Sequence, residues 1–459
     1  MPSTDSSDQR PVHFVGIAGA GMRALAELLA RRGVPVTGCD ANPGAIDDLE
    51  ALGIKVAKGH SPDHVEGARE LVVTSAMSRA HAELARAREL GIPITRRAEA
   101  LGLAVAGGRV VGIAGTHGKT TTTVMTTAAL AAAGLRPTGI AGGRVAEWKG
   151  NLHYESDELF VVEADEYDRS FLSLTPTVAV VTNVEADHLD IYRDLEDIRT
   201  TFSRFVRDAA AIVLCDDDAG ARSLDLASSA EVIRYGIKSR DARLLASGVR
   251  TAGHSTTFSV TYDGRHLGDV VLRVPGFHNV QNALAAIGAG HALGVTLDAM
   301  REGLLQFRGV DRRFQHLFDV AGVTIVDDYA HHPTEIAATL QAARASYPGR
   351  RIVAAFQPHL FSRTRDFSDA FGEALCGADC VFLAEVYPAR EQPIPGITSD
   401  LVAASIKRAG RVVTWQGSRS ELADALASFA LEGDVVITIG AGDITRTGPE
   451  LKSRLDARA

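Results

Sequence analysis

The sequence predicts an α/β fold of three parallel-sheet domains, and three observations lead there. Short apolar runs alternate with helical patterns along the chain, as parallel strands joined by crossover helices do. A strand, a turn and a helix start recur together at residues 12–22, 109–122 and 323–334. The length of 459 residues suits about three domains at roughly 150 residues each.

The first domain is expected over residues 1–106. Its opening, HFVGIAGAG at 13–21, leads into a helix over 22–32. Met22, Leu25, Ala26, Leu28 and Leu29 share one face of that helix, and Gly33 stops it. Strands are expected at 34–39, 55–57, 71–74 and 93–95. Gly16, Gly19 and Gly21 let the backbone approach a phosphate at the helix N-terminus, and Asp40 closes the second strand where a ribose-binding acid often sits. The spacing is GxxGxG, not GxGxxG. It fits a nucleotide diphosphate, a nicotinamide dinucleotide, or tight packing with no ligand. The arrangement is Rossmann-like.

The second domain is expected over 107–316 and opens on GIAGTHGKTTT at 112–122. An apolar strand, a glycine turn and a helix beginning Lys-Thr make a P-loop ATPase-type sheet. Gly115, Thr116 and Gly118 would cradle phosphate with backbone amides. Lys119 reaches the β- and γ-phosphates, Thr120 offers a hydroxyl to Mg²⁺, and Thr121 continues the helix start. Ile113 stands where the strict pattern has glycine, with Gly112 and Gly115 on either side. Strands are expected at 159–163, 178–183 and 211–214, with an antiparallel addition at 256–262 and 270–274. Glu163, Asp165, Glu166 and Asp168 crowd the end of one strand, where a Mg²⁺ partner is expected in such sheets. His188 and its flanking acids follow the next strand, on the edge where open α/β sheets bind ligands.

The third domain is expected over 317–459 and is again Rossmann-like. Strands at 323–328, 351–356, 380–385, 411–415 and 434–439 alternate with helices near 334, 366–376, 400–408 and 419–431. DDYAHHPTE at 327–335 and QPHLFSRTR at 357–365 end two of these strands on one edge. His331, His359 and Arg363 together suit a small carboxylate, which arginine grips in bidentate fashion. Zinc competes for His331, His332 and His359, but adjacent histidines point to different sides and no metal spacing supports it.

Composition narrows the function classes. Apolar residues make up 46% and charged residues 23%, as in ordinary soluble proteins. A net charge of −9 argues against nucleic-acid or membrane-surface partners. Four scattered cysteines read as reduced thiols of a cytoplasmic protein. The polar N-terminus lacks a signal-peptide pattern, and no apolar run of about 20 residues exists.

Nine motifs, in order, carry a resemblance to the Mur ligase family: HFVGIAGAGM, AGTHGKTTT, VEADEYDRSF, TNVEADHLD, PGFHNVQN, GVDRRFQ, DDYAHHPTE, QPHLFSRT and GAGDI. They span residues 13 to 444. The resemblance implies a cytoplasmic ATP- and Mg²⁺-dependent ligase of peptidoglycan precursor synthesis, joining L-alanine to the carboxylate of UDP-N-acetylmuramate through an acyl phosphate. It implies Lys119, Glu163 and His188 as catalytic residues, with Thr120, Glu163 and His188 toward Mg²⁺. Gly115, Thr116, Gly118, Lys119, Thr120, Thr121, His278, Asn279, Asn282, Arg312 or Arg313, and Asp328 would meet ATP. Gly16, Gly19, Gly21, Asp40, Ser75 and His117 would meet the UDP-sugar. Tyr329, His331, His359 and Arg363 resemble an amino-acid pocket. A monomer or homodimer is expected, with domain closure over the acyl phosphate.

The sequence departs from the family pattern in places. Arg23 stands where a small serine is usual, and Leu360 where many relatives have a basic residue. No lysine lies between His188 and Ala210, so carbamylation is not expected. A sister ligase attaching a preformed peptide shares most of these motifs. A nicotinamide oxidoreductase leaves the P-loop unexplained, and a non-catalytic P-loop regulator leaves the His/Arg set unexplained.

Overall fold

The computed structural model describes residues 8–44, 46–74, 77–78, 80–226 and 229–458. It is a mixed α/β structure with sheets of five, ten and six strands. Among the described residues no helix is long and apolar enough to cross a membrane.

The five-stranded sheet is parallel, ordered Lys55–Lys58, Val36–Asp40, Val12–Val15, Glu70–Val73, Ile94–Arg96. Val12–Val15 is buried along its whole length, as a strand at the centre of a covered sheet must be. Chain order reverses direction at this strand, so Gly16 emerges at the topological switch point, where such sheets bind ligands. The helix Ala20–Arg31 follows the turn and buries Leu25, Leu28 and Leu29.

In the ten-stranded sheet Arg109–Ala114 is central, between Val178–Val181 and Leu159–Glu163, both parallel to it. The far edge carries Leu244–Ala252, Ser255–Tyr262 and Arg265–Leu272. Two-residue connections at 253–254 and 263–264 join these neighbours, which requires antiparallel pairing. The last of these strands was expected at 270–274 but starts five residues earlier and stops at Leu272.

The first sheet and the main part of the second belong to one compact unit, comprising residues 1–247, 259–270 and 281–307. One apolar core runs through it, with Leu25, Leu28 and Leu101 among the same buried cluster as Ile140, Leu152, Phe160 and Phe171. Gly102 has no room for a side chain, because a Cβ there would collide with the carbonyl of Ser173. Arg32 seals the seam, donating to Ala104 O at 2.7 Å and pairing with Asp157 at 2.7 Å.

The second unit comprises residues 248–258, 271–280 and 308–459. Its six-stranded sheet runs Gln315–Val320, Val323–Asp328, Val435–Ile439, Ile352–Phe356, Cys380–Ala384, Trp415–Gly417. Only the first of these pairs is antiparallel. Asp328, Ile439 and Phe356 are in register, so the segments after them leave along one edge. The strand expected at 411–415 lies instead at Trp415–Gly417. Val412 is 83% exposed, and Thr414 is the first residue to donate across, to Val381 O.

Candidate active site

The P-loop is shaped by what surrounds each glycine. Gly115 sits at φ +140, and a Cβ there would collide with Thr182 Oγ1. Gly118 sits at φ +80, with Asn282 Oδ1 2.6 Å from the place of a Cβ. Residues after the neighbouring strand brace the loop: Thr182 Oγ1 donates to His117 O at 2.6 Å, and His117 N donates to Asn183 Oδ1 at 2.7 Å. Glu185 N donates to Thr116 Oγ1 at 2.9 Å. The helix Lys119–Ala132 therefore starts with its free amides facing a rigid turn.

Lys119 Nζ donates to Gly115 O at 2.7 Å and Thr116 O at 3.2 Å, and pairs with Glu166 Oε2 at 2.7 Å. Burial works against its charge, but Glu166, Asp165 and Glu163 outweigh that and raise its pKa. Thr120 Oγ1 donates to Glu163 Oε1 at 3.1 Å, and Gly142 N donates to the other oxygen at 2.6 Å. Burial pushes the Glu163 carboxyl up. Burial likewise pushes Glu166 up, to about 7, against the pull of Lys119. Tyr192 Oη donates to Glu166 O at 2.6 Å. His188, at φ +52, holds Nε2 3.7 Å from Glu166 Oε1 and 3.8 Å from Asp187 Oδ2. Its ring meets Tyr167 edge-on at 5.1 Å.

So Lys119, Thr120, Glu163 and His188 fall on one sheet edge, as the sequence placed them. Glu166, Gly142, Thr182, Asn183 and Tyr192 join them without having been singled out. Glu166 stood in the acidic run, but nothing in spacing separates it from Glu163. Asn282 also lies here, accepting from Thr122 Oγ1 at 3.2 Å. His117 Nε2 lies 3.5 Å from Glu185 Oε2.

The N-terminal turn is built from backbone. Gly16, at φ +85, donates to Cys39 O at 2.8 Å. Asp40 accepts from Ala18 N at 3.1 Å and Asn42 N at 2.9 Å. Gly19 caps the helix, and Gly21 lies against Arg97. Arg23 turns away to Asp48, 2.9 Å off. Ser75 lies outside the described residues.

In the second unit, Asp328 accepts from Phe314 N and Ala330 N, both at 2.8 Å, and burial raises its pKa to about 6. Arg312 is engaged by Asp327 Oδ2 at 3.0 Å and Gly440 O at 2.7 Å. Arg313 reaches Glu335 Oε1 at 3.4 Å, and both guanidinium groups lie over the Tyr329 ring. His278 is lowered to about 4, by burial first and by the Arg313 charge second. Asn279 Nδ2 donates to Pro275 O at 2.7 Å. The rings of Tyr329, His331 and His359 follow one another at 5.2 and 6.1 Å, and His359 stacks on Tyr387. His332 turns to Phe367 and caps the next helix, so the two adjacent histidines part as expected. Leu360 is buried at φ +70, capping the helix Phe361–Leu375 in which Arg363 is buried.

A braced phosphate loop, a lysine among buried carboxylates and a Thr–Glu oxygen pair on a parallel sheet define an ATP-using enzyme of the P-loop α/β class. Three family models match in sequence order: Mur ligase family, catalytic domain, over 11–109; Mur ligase middle domain over 113–290; and Mur ligase, glutamate ligase domain, over 312–442. The chain belongs to the Mur ligase family. A UDP-N-acetylmuramate–L-alanine ligase of Acidothermus cellulolyticus is 46% identical, over 94% of this chain and 91% of that protein. One from Salinibacter ruber is 42% identical, over 95% and 93%. The crystal structure of the UDP-N-acetylmuramate–alanine ligase of Thermotoga maritima superposes with a TM-score of 0.82 at 29% identity, covering 98% of this chain and all of that one. A murein peptide ligase of Psychrobacter arcticus gives 0.70 at 25% identity, over 97% and 98%.

Proposed function

We propose that this chain joins L-alanine to the carboxylate of UDP-N-acetylmuramate, using ATP, in peptidoglycan precursor synthesis in the cytoplasm. Near-full-length identity of 42–46% to ligases so named carries the reading, together with the Lys119–Thr120–Glu163 arrangement. A carboxylate does not form an amide at neutral pH until one oxygen becomes a leaving group. The sugar carboxylate attacks the γ-phosphorus and ADP leaves. The alanine amine then attacks the acyl carbon, loses a proton and expels phosphate.

Lys119 exchanges Glu166 for the γ-phosphate as charge moves toward the β–γ bridge. The backbone amides of Gly115–Lys119 hold the phosphates, with Thr121 continuing the helix start. Asn282, Asn279 and His278 serve adenine, Asp328 the ribose, and Arg312 or Arg313 a phosphate. Thr120 Oγ1 and Glu163 Oε1 are hard oxygen donors of the kind Mg²⁺ takes, and Glu163 is buried beside further carboxylates whose charge a cation offsets. Mg²⁺ held there and near His188 supplies charge neutralisation that lets two anions meet. Gly16, Gly19, Gly21, Asp40, Ser75 and His117 hold the UDP-sugar. Tyr329, His331, His359 and Arg363 hold alanine by its carboxylate.

The test is ADP release with UDP-N-acetylmuramate, ATP and Mg²⁺, with and without L-alanine. Alanine-dependent release with an amide product of matching mass is expected. Release only with a tripeptide would make it a peptide ligase; release with neither would overturn the sugar substrate. Arg363→Ala should raise KM for alanine far more than for ATP; equal changes would remove Arg363 from the pocket.

A further inference from the structure

Away from the P-loop, the first sheet gathers four histidines, a cysteine and a glutamate. His13 and Cys39 point to the same face, because Val12–Val15 and Val36–Asp40 are parallel with His13 beside Thr37 and Val15 beside Cys39. His60 and His64 come from the loop and 3₁₀ turn after the next strand. His81 and Glu83 start the helix Ala82–Glu89. Glu83 is fully buried, and side chains of this group meet both of its carboxylate oxygens. Its Oε1 accepts from Cys39 Sγ at 3.1 Å and Ser61 N at 3.2 Å, with His64 Nδ1 at 2.9 Å. Its Oε2 faces His60 Nδ1 at 3.2 Å and His81 Nδ1 at 3.6 Å.

The geometry points to a structural site for zinc or a similar borderline divalent cation, bound by His13, Cys39, His64 and Glu83. One donor atom from each of these four lies within 4.8 Å of the others. Bonds of about 2.0–2.3 Å imply donor separations of roughly 3.3–3.7 Å, so the 3.1 and 2.9 Å contacts of Glu83 Oε1 with Cys39 and His64 open slightly and the wider separations close to take the ion. His13 is 2% exposed; its Nδ1 meets Thr37 Oγ1 at 2.9 Å, while its buried Nε2 has no hydrogen-bond partner. That leaves Nε2 as the donor and fixes the ring from behind, as second-sphere partners do. His60 performs that task for the second carboxylate oxygen. The Cys39 thiol gives up its proton to solvent as the ion binds. A +2 ion, one thiolate and one carboxylate then sum to zero, which suits a buried place. With four protein ligands the site is closed, so it braces the fold and does no chemistry. The brace bears on the glycine turn, since Cys39 O accepts from Gly16 N and Ile17 N.

The full chain, purified without chelator, is assayed for zinc by mass spectrometry, then stripped and titrated with Co²⁺. About one zinc per chain is expected. Co²⁺ should give a thiolate-to-cobalt charge-transfer band with strong tetrahedral visible bands, and the loaded chain should melt higher than the stripped one. Cys39→Ser should abolish the charge-transfer band. His64→Ala, on a half-exposed turn, should weaken Co²⁺ affinity roughly 10-fold or more while circular dichroism is unchanged. No charge-transfer band in folded wild type at saturating Co²⁺, or a band that survives Cys39→Ser, would overturn the site.

Discussion

The two glycine turns of the first unit look alike in sequence and differ in what holds them. In the P-loop the glycines are demanded by the protein itself. Gly115 and Gly118 have positive φ, and a Cβ on either meets a neighbour too closely. In the N-terminal turn Gly19 has φ −62, and a Cβ there would sit 3.6 Å from Gly16 O, an ordinary contact. At Gly21 the nearest atoms belong to the flexible end of Arg97. The P-loop also brings side-chain charge to the phosphate, whereas the first turn offers backbone amides and one carboxylate. Glycine at 115 is required by packing; glycine at 19 caps the helix and leaves room beside the turn.

The largest effect should come from the charge. Lys119→Ala should lower kcat roughly 10³-fold or more, since it removes a cation held among the loop's buried acids. Circular dichroism and gel filtration should match wild type, and retained ligation would refute the loop's role. Next comes Gly115→Ala, which should cost about 4 kcal/mol of stability, because strain at φ +140 adds to the clash with Thr182. Urea unfolding measures it; a loss under about 1 kcal/mol would show that the brace yields.

The third strand-to-helix opening sharpens the contrast. There a buried carboxylate, Asp328, gathers the amides of Phe314 and Ala330. Burial raises its pKa from 3.8 to about 6. The folded chain therefore holds a proton that the unfolded chain has released, so this residue costs stability as pH rises from about 4 to about 6. Relative to Asp328→Asn, wild type should lose up to about 3 kcal/mol across that window. Parallel pH profiles of the two chains would refute the shift.

These contrasts also show what was legible in the sequence. Lys119, Thr120 and Glu163 were readable because their chemistry sits in contiguous motifs at strand ends. Gly142 was not, because the strand Thr138–Val145 reads TGIAGGRV and lacks any alternation. The reason is local: Thr127 and Trp148 press on Gly139, and Glu163 on Gly142, leaving no room for side chains. The histidine cluster of the first sheet was equally hidden, since its members come from separate elements and only the fold unites them. Val412 misled in the other direction, an apolar residue at the surface outside the strand it resembled.

The smallest effect tests the first turn. Gly19→Ala should change stability by less than about 1 kcal/mol, because loss of a favourable cap is offset by reduced freedom of the unfolded chain. If a phosphate of the nucleotide sugar rests on this turn, the added methyl lies between it and the amides. KM for UDP-N-acetylmuramate should then rise roughly 10-fold, which is about 1.4 kcal/mol of binding, with kcat and KM for ATP little changed. Steady-state kinetics with each substrate varied in turn separate these outcomes. An unchanged KM would mean that Gly19 serves packing after all and that the sugar nucleotide is held elsewhere. A fall in kcat alone would mean that the turn acts after binding, and the difference drawn between the two loops would have to be redrawn.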